Sequence, residues 1–185
     1  MGSFLHQFKK KAKKSMKTNI KCIAGDIVPI GTEIIVNAAN SGLQSGGGVC
    51  GAIFNGAGKQ QLQKACDAIG HCPTGKAVIT PAFNLEKYGT RYIIHAVGPQ
   101  FSASRAEECD TLLVDAYRST LRLAESVGAR SIAIPAISTG IYHFPVERAA
   151  ALVAELLTSE TFDLDEIVLM ALESDKIAHY ADALA

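Results

Sequence analysis

The alternation of short apolar strands with longer amphipathic helices is the feature that most constrains the fold of this chain. Residues 33–38 are strongly apolar and β-branched, as in a strand that is buried on both faces. The pattern predicts strands at 20–24, 33–38, 76–80, 91–97, 131–134 and 166–172, and helices at 49–55, 60–69, 106–127, 145–158 and from residue 174 onward. This order predicts a layered α/β domain with a mixed or largely parallel sheet.

Two glycine-bearing loops each leave the carboxyl end of one of these apolar strands. The first loop (residues 37–49) reads NAANSGLQSGGGV, and the second loop (residues 135–142) reads PAISTGIY. Backbone N–H groups in such loops attract anions, especially where a helix starts, and ligands of open α/β sheets bind at the carboxyl ends of strands. The two loops together predict a site for a diphosphate, and therefore for a nucleotide-like ligand.

Composition excludes several other classes of protein. The 185 residues make about one domain, and the formal net charge of zero gives no support for DNA binding. No apolar run is long enough to span a membrane, so no membrane partner is expected. The five cysteines are odd in number and widely spaced, which argues against a disulfide framework and predicts a reducing compartment, with the cytoplasm expected. They form no CxxC pair or zinc-type cluster, so no metal is expected, and no cofactor is expected either.

The lysines are concentrated at the N-terminus. Residues 1–15 are interpreted as a basic leader, and residues 16–185 as a single domain. The leader is read either as a solvated, frayed helix or alternative start before Met16, or as a contact for an anionic surface. The first reading is favoured, because one short basic run is weak support for a partner.

Five motifs in order give the chain its resemblance to a known family. They are AGDI at 24–27, IVNAAN at 35–40, GGGV at 46–49, YIIHAVGP at 92–99 and IPAISTGIY at 134–142. Over about residues 17–184 the chain resembles a macrodomain, the ADP-ribose-binding module, and is most similar to the branch of MacroD-type hydrolases. The resemblance implies a three-layer α/β/α sandwich around a mixed, largely parallel central sheet. It also implies ADP-ribose or an ADP-ribosylated protein as partner, and a monomer.

The resemblance also implies roles for individual residues. Asp26 resembles the carboxylate that accepts a hydrogen bond from the adenine amino group, with the Ile27 backbone beside it. Asn40 resembles the asparagine that contacts the distal ribose, and Asn37 is either its functional partner or structural. The remaining ligand-binding candidates are two stretches that resemble the diphosphate loops, Gly46, Gly47, Gly48 and Val49 in the first loop and Ser138, Thr139, Gly140, Ile141 and Tyr142 in the second.

Three positions differ from what the resemblance implies. Relatives are often aromatic where the adenine lies, but this chain has Leu172, which supplies an apolar face without stacking. MacroD-type hydrolases carry an aspartate after the glycine loop, where this chain has Cys50, and an unperturbed thiol is a poor substitute for a carboxylate base. His143 stands where relatives often have glycine, and is read as a catalytic candidate or as a rim residue.

Two functions remain open on the sequence. The first is hydrolysis of an ester at the distal ribose, of O-acetyl-ADP-ribose or of a mono-ADP-ribosylated protein, by a positioned water. Its catalytic candidates are Asn40, Cys50 and His143. The second is a module that binds ADP-ribose without turnover, which Cys50 favours. His95, inside a predicted strand, is interpreted as a hydrogen-bonded core histidine.

Overall fold

The computed structural model describes residues 17–185, so the predicted basic leader lies outside the described residues. The strands are β1 (Asn19–Ala24), β2 (Ile34–Ala38), β3 (Ala77–Pro81), β4 (Tyr92–Ala96), β5 (Ser131–Pro135) and β6 (Glu166–Ala171). The helices are α1 (Gly48–Ala57), α2 (Lys59–Ile69), α3 (Ala106–Ser126), α4 (Val146–Ser159) and α5 (Ser174–Leu184). Each predicted strand and helix is found, with boundaries that differ by a few residues.

The six strands form one sheet in the order β1-β6-β5-β2-β4-β3. Strands β1, β6, β5, β2 and β4 pair in parallel, and β3 alone runs antiparallel, against β4. This confirms the expected mixed, largely parallel sheet. Because these five neighbouring strands run the same way, their carboxyl ends meet at one edge, and the two glycine loops leave that edge from β2 and β5.

The two faces of the sheet are covered by different helices. Side chains alternate along a strand, so Ile34 and Val36 of β2 face a core with α3, α4 and α5, while Ile35 faces a core with α1 and α2. The three side chains have no exposed surface. A strand with both faces buried must be apolar throughout, and this layering confirms the three-layer α/β/α sandwich.

Two short elements were not predicted. Residues Ala103–Arg105 form a 3₁₀ helix before α3, and residues Phe83–Tyr88 form a 3₁₀ helix whose Leu85 is buried against the core with α1 and α2. Its six residues are too short to show helical periodicity, and the sequence there reads as a loop. Among residues 17–185, no helix has the length and apolar character needed to cross a membrane.

Candidate functional site

A cavity of about 380 Å³ opens at the carboxyl edge of the sheet. Its walls come from the ends of β2, β5 and β6, from both glycine loops and from the first turn of α5. A smaller cavity of about 50 Å³ adjoins it beside the end of β1, and the two share the lining residues Gly48, Val49, Pro135, Met170, Ala171 and Leu172. The sheet topology therefore brings segments distant in the sequence to one elongated site.

The first loop leaves the N-terminus of α1 uncapped, so the first N–H groups of the helix have no partner in the part of the chain that the structure describes. Gly47 precedes the helix without a side-chain cap, and the first turn contains no acidic residue. The backbone N–H groups of Gly46, Gly47, Gly48 and Val49 donate to no acceptor within residues 17–185. Unpaired amides at a helix start, aligned with the helix dipole, make a site for an anion.

Asn40 holds the shape of the first loop. Its Nδ2 donates to the Gln44 carbonyl at 2.8 Å, and its Oδ1 accepts from the Gln44 N–H at 3.0 Å. The Ser45 N–H donates to Gln63 Oε1 at 2.9 Å, which ties the loop to α2. An amide has two N–H donors and two acceptor lone pairs, so the Asn40 amide keeps one of each for a ligand.

Asn37 belongs to a buried polar group below the first loop. Its Nδ2 lies 3.0 Å from His95 Nδ1, and Thr80 Oγ1 lies 2.9 Å from His95 Nε2. Burial lowers the pKa of His95 to about 4, so the ring is neutral near pH 7. This confirms His95 as a hydrogen-bonded core histidine. Asn37 lines neither cavity, and its contacts favour the structural reading of that residue.

The second loop presents another set of unpaired amides. The N–H groups of Ser138, Gly140, Ile141 and Tyr142 have no acceptor among residues 17–185. Ser138 has a positive φ of 66°, and its buried Oγ lacks a hydrogen-bond partner in the described part of the chain. This loop therefore offers a second group of donors to the cavity that the N-terminus of α1 also lines.

Gly98, just beyond the end of β4, allows the second loop to pack closely. A Cβ atom at Gly98 would collide with Ser138 Oγ and would lie 2.5 Å from Ile137 Cγ2. Only glycine leaves that space. Gly98 also lines the main cavity, so the backbone at this position is part of the site wall.

The smaller cavity contains the residues expected at the adenine end. Asp26 and Ile27 line it with Leu172, whose side chain is 65% exposed. Asp26 Oδ1 accepts from the Val28 N–H at 2.9 Å, which is the turn chemistry common for aspartate after glycine. The other carboxylate oxygen has no protein donor among the described residues, so it can accept from a ligand.

Two further side chains determine the chemistry of the main cavity. Cys50, in the first turn of α1, is 8% exposed and lines the wall, with its Sγ 3.8 Å from the Gln44 carbonyl oxygen. Lys176 of α5 is the one cationic side chain among the described lining residues, and its Nζ lies 3.7 Å from a Glu173 carboxylate oxygen. The anion-binding capacity of the cavity therefore comes mainly from backbone amides.

Most predicted site residues meet at these two cavities. The main cavity is lined by twelve of them: Asn40, Gly46, Gly47, Gly48, Val49, Cys50, Ser138, Thr139, Gly140, Ile141, Tyr142 and Leu172. Asp26 and Ile27 line the smaller one. Asn37 and the exposed His143 line neither, so a catalytic role of His143 stays a prediction.

Sequence reasoning missed Gly98 and Lys176 as lining residues. Gly98 lies in a quoted motif, but only the structure reveals the contact with the second loop. Lys176 lies in the first turn of α5, shortly after β6. Its position just after a strand that ends at the site was the only indication in the sequence that it could line the cavity. Within residues 17–185, no group of three or more His, Cys, Asp or Glu residues could hold a metal ion.

Comparisons with known proteins give a consistent result. A sequence model of the Macro domain matches residues 36–153. An uncharacterised protein of Fusobacterium nucleatum is 53% identical over 135 residues, which are 72% of this chain and 74% of that protein. The O-acetyl-ADP-ribose deacetylase of Escherichia fergusonii is 51% identical over 140 residues, or 74% of this chain and 75% of that one.

Solved structures agree with the sequence comparisons. A glycine-to-valine variant of the Oceanobacillus iheyensis macrodomain with ADP-ribose is 32% identical, has a TM-score of 0.80, and covers 89% of this chain and 90% of its own. Asparagine-to-alanine and aspartate-to-alanine variants of that macrodomain match with TM-scores of 0.81 and 0.75. The substituted glycine and aspartate lie seven and ten residues after the substituted asparagine. The chain belongs to the Macro domain family.

Proposed function

We propose that this protein binds ADP-ribose along the carboxyl edge of the sheet and hydrolyses an ester at the distal ribose. One observation supports the proposed binding of ADP-ribose. Unpaired backbone amides of two loops, together with the bare N-terminus of α1, line a single cavity between the ends of β2 and β5. That arrangement suits a diphosphate, whose charge can be neutralised by amide dipoles.

The order of the strands gives the proposed direction of the ligand. Asp26 and Leu172 follow the neighbouring strands β1 and β6, and Asn40 follows β2 on the other side of β5. Adenine lies at the Asp26 end, where a carboxylate oxygen accepts from its amino group. The diphosphate lies between the loops, and the distal ribose lies at Asn40.

The proposed reaction is the hydrolysis of an acyl ester. A water oxygen attacks the ester carbonyl carbon, the bond between that carbon and the ribose oxygen breaks, and the ribose oxygen takes up a proton. The products are a carboxylic acid and ADP-ribose. The site contributes by holding the ester and the water together, with Asn40 as the orienting residue. The relative named O-acetyl-ADP-ribose deacetylase supports this chemistry.

A second candidate function is binding without turnover, and Cys50 favours it. In the Oceanobacillus iheyensis macrodomain, the substituted glycine and aspartate lie seven and ten residues after the substituted asparagine. If Asn40 corresponds to that asparagine, the residues at the same spacing in this chain are Gly47 and Cys50. A thiol therefore stands where that macrodomain has an aspartate. Without a carboxylate, a water in this cavity loses a candidate general base.

Binding is tested by calorimetric titration with ADP-ribose, with AMP and ADP as controls. A Cβ atom at Gly47 meets nothing within 4 Å, so Gly47→Glu should fold normally and place its carboxylate at the bare end of α1. We expect Gly47→Glu to abolish ADP-ribose binding, and Gly47→Val, which adds bulk without charge, to keep it. Wild-type affinity in the folded Gly47→Glu variant would refute this site.

Turnover is tested by incubating catalytic amounts of the protein with O-acetyl-ADP-ribose and with an ADP-ribosylated protein. Release of many equivalents of ADP-ribose per protein supports the hydrolase. Retention of one equivalent without release supports the binding module, and leaves the binding proposal intact.

A further inference from the structure

The second loop has a conformation that needs support from the rest of the protein. Ser138 adopts a left-handed backbone conformation although it is not a glycine, with a φ of 66°. Directly before it, the Ile137 N–H bonds the Pro135 carbonyl at 2.8 Å, which makes a tight three-residue turn. A non-glycine residue keeps such a conformation only where its surroundings enforce it.

Tyr117 of α3 makes contact with both ends of that turn. Its hydroxyl donates to the Pro135 carbonyl at 3.2 Å and accepts from the Ile137 N–H at 3.2 Å. A phenol hydroxyl has one proton to donate and lone pairs to accept, and here both functions are used on the backbone two residues apart. The side chain is 1% exposed, so no solvent competes for these bonds.

The Tyr117 hydroxyl lies in the core and outside the ligand cavity. Tyr117 lines neither cavity and packs in the core between the sheet and α3, α4 and α5. Burial raises the pKa of Tyr117 well above its ordinary value, so the hydroxyl keeps its proton and remains a donor. The contact joins the rigid 21-residue helix α3 to the start of the second loop.

We propose that Tyr117 is a positioning residue, whose buried hydroxyl fixes the turn at Pro135–Ile137 and thereby aims the amides of the second loop at the ligand diphosphate. The inference rests on the proposed binding of ADP-ribose and adds a residue outside the cavity to it. The unpaired amides of Ser138 and Gly140 follow the turn within three residues, so a shift of the turn moves both donors. Donors that are fixed in advance lower the ordering cost of binding.

The test compares Tyr117→Phe with a matched control on the same helix. Thr120 is also buried in α3, but its Oγ1 donates to the Ala116 carbonyl within the helix at 2.8 Å, so Thr120→Val removes a buried hydroxyl without touching the loop. Tyr117→Phe should raise the Kd for ADP-ribose about threefold to tenfold, the range expected when one loop amide no longer bonds the diphosphate. Thr120→Val should leave the Kd unchanged, although both variants lower the melting temperature.

Amide chemical shifts of the unliganded protein provide a readout that does not depend on the ligand. In Tyr117→Phe, the resonances of the second loop should move while those of residues 46–49 stay in place. An unchanged Kd in Tyr117→Phe, or an equal loss in both variants, would overturn the proposal.

The remaining outcomes are also distinguishable. If the wild-type protein fails to bind ADP-ribose, the proposed function falls, and unmoved second-loop shifts would then overturn the positioning role as well. If Tyr117→Phe does not fold, proton NMR of the wild-type Tyr117 hydroxyl decides. A hydroxyl that holds the turn should exchange slowly with water and show a nuclear Overhauser contact to the Ile137 amide proton, and a hydroxyl proton that exchanges as fast as an exposed one would contradict the positioning role.

Discussion

At the scale of the residue, the side chain at position 50 is the main difference between the two proposed functions: a carboxylate there would favour hydrolysis, and the thiol of Cys50 favours binding without turnover. Cys50 lies in the first turn of α1, where the unpaired amides and the helix dipole favour negative charge. A carboxylate at this position would therefore be stabilised in spite of its burial. The thiol that stands there packs as a small side chain in the core with α1 and α2, and its Sγ lies 3.8 Å from the Gln44 carbonyl oxygen.

This position predicts a gain of function. Cys50→Asp should raise the rate of ester hydrolysis about a hundredfold, at the low end of what a positioned general base contributes. The Kd for ADP-ribose should rise far less than in Gly47→Glu, because the aspartate side chain is shorter and lies within the first turn of α1 rather than at the residue that precedes the helix. Steady-state turnover of O-acetyl-ADP-ribose and calorimetric titration measure the two effects.

Cys50→Ser is the matched control for this gain. A serine is as small as the cysteine and supplies no carboxylate, so its turnover should stay at the wild-type level. A Cys50→Asp variant that binds ADP-ribose but hydrolyses no faster than Cys50→Ser would show that a carboxylate at this position does not activate the water.

At the scale of the element, the strands and helices were predictable because their signals are local. The run at 33–38 is apolar on both faces, and it forms the central strand β2 with helices on both sides. The direction of β3 was not predicted, although residues 82–91 are a short connection for a parallel crossover and so favour the antiparallel pairing with β4 that the structure has. The 3₁₀ helix at Phe83–Tyr88 was missed because it is too short for periodicity.

The candidate site was predictable where it is made of loop backbone. Glycine runs at strand ends are visible in the sequence, and their amides do line one cavity. Lys176 and Gly98, which line the site, and Tyr117, which contacts the second loop from outside it, could not be predicted, since their places depend on tertiary packing. The contact of Asn37 with His95 likewise depends on the register of β2 against β4.

The packing of β4 against the second loop makes a prediction for Gly98→Ala. The added methyl group would overlap Ser138 Oγ and Ile137 Cγ2, so the loop must move or the backbone must shift. We expect a loss of about 1–3 kcal/mol in the free energy of unfolding, the usual cost of overpacking, and weaker binding of ADP-ribose. Chemical denaturation and calorimetric titration check both.

Gly140→Ala provides a comparison for stability within the same loop. A Cβ atom at Gly140 meets nothing within 4 Å, so this variant should unfold at the wild-type denaturant concentration. Equal stability of Gly98→Ala and wild type would mean that the second loop is free to move away from β4.

At the scale of the whole molecule, the buried group around His95 links the sheet to α1 and α2. The ring lies 6.3 Å from the Phe54 ring of α1 and 3.8 Å from Cys66 Sγ of α2, in addition to its bonds with Asn37 and Thr80. Burial raises the pKa of the Cys66 thiol to about 11, so this neighbour is neutral as well. The layer below the first loop is therefore held together by uncharged polar groups.

This group predicts how stability depends on pH. The His95 pKa is about 4 in the folded protein against 6.5 ordinarily, so between these values the unfolded chain binds the extra proton. The contribution of the neutral His95 ring to the free energy of unfolding is complete above pH 6.5 and is lost as the pH falls toward 4. We expect the free energy of unfolding, measured by urea denaturation, to fall by about 2 kcal/mol between roughly pH 6.5 and pH 5.

A His95→Gln variant should show a smaller loss over the same interval, because it lacks the titrating ring. Proton NMR of the wild-type ring gives the direct check, since its resonances should not titrate above about pH 5. Titration near pH 6.5 would mean that the ring is open to water.

The pairing of β1 with β6 has a consequence for how the protein is made. These two strands lie at opposite ends of the described chain, with Asn19 opposite Glu166 and Ala24 opposite Ala171. During synthesis, β1 leaves the ribosome before the other strands, and it stays without its partner strand until β6 has been synthesised. The end of the site proposed for adenine, with Asp26 after one strand and Leu172 after the other, is therefore not assembled until β6 has been synthesised. Until then the exposed edge of the growing sheet needs protection from other chains, as is usual where distant segments must meet.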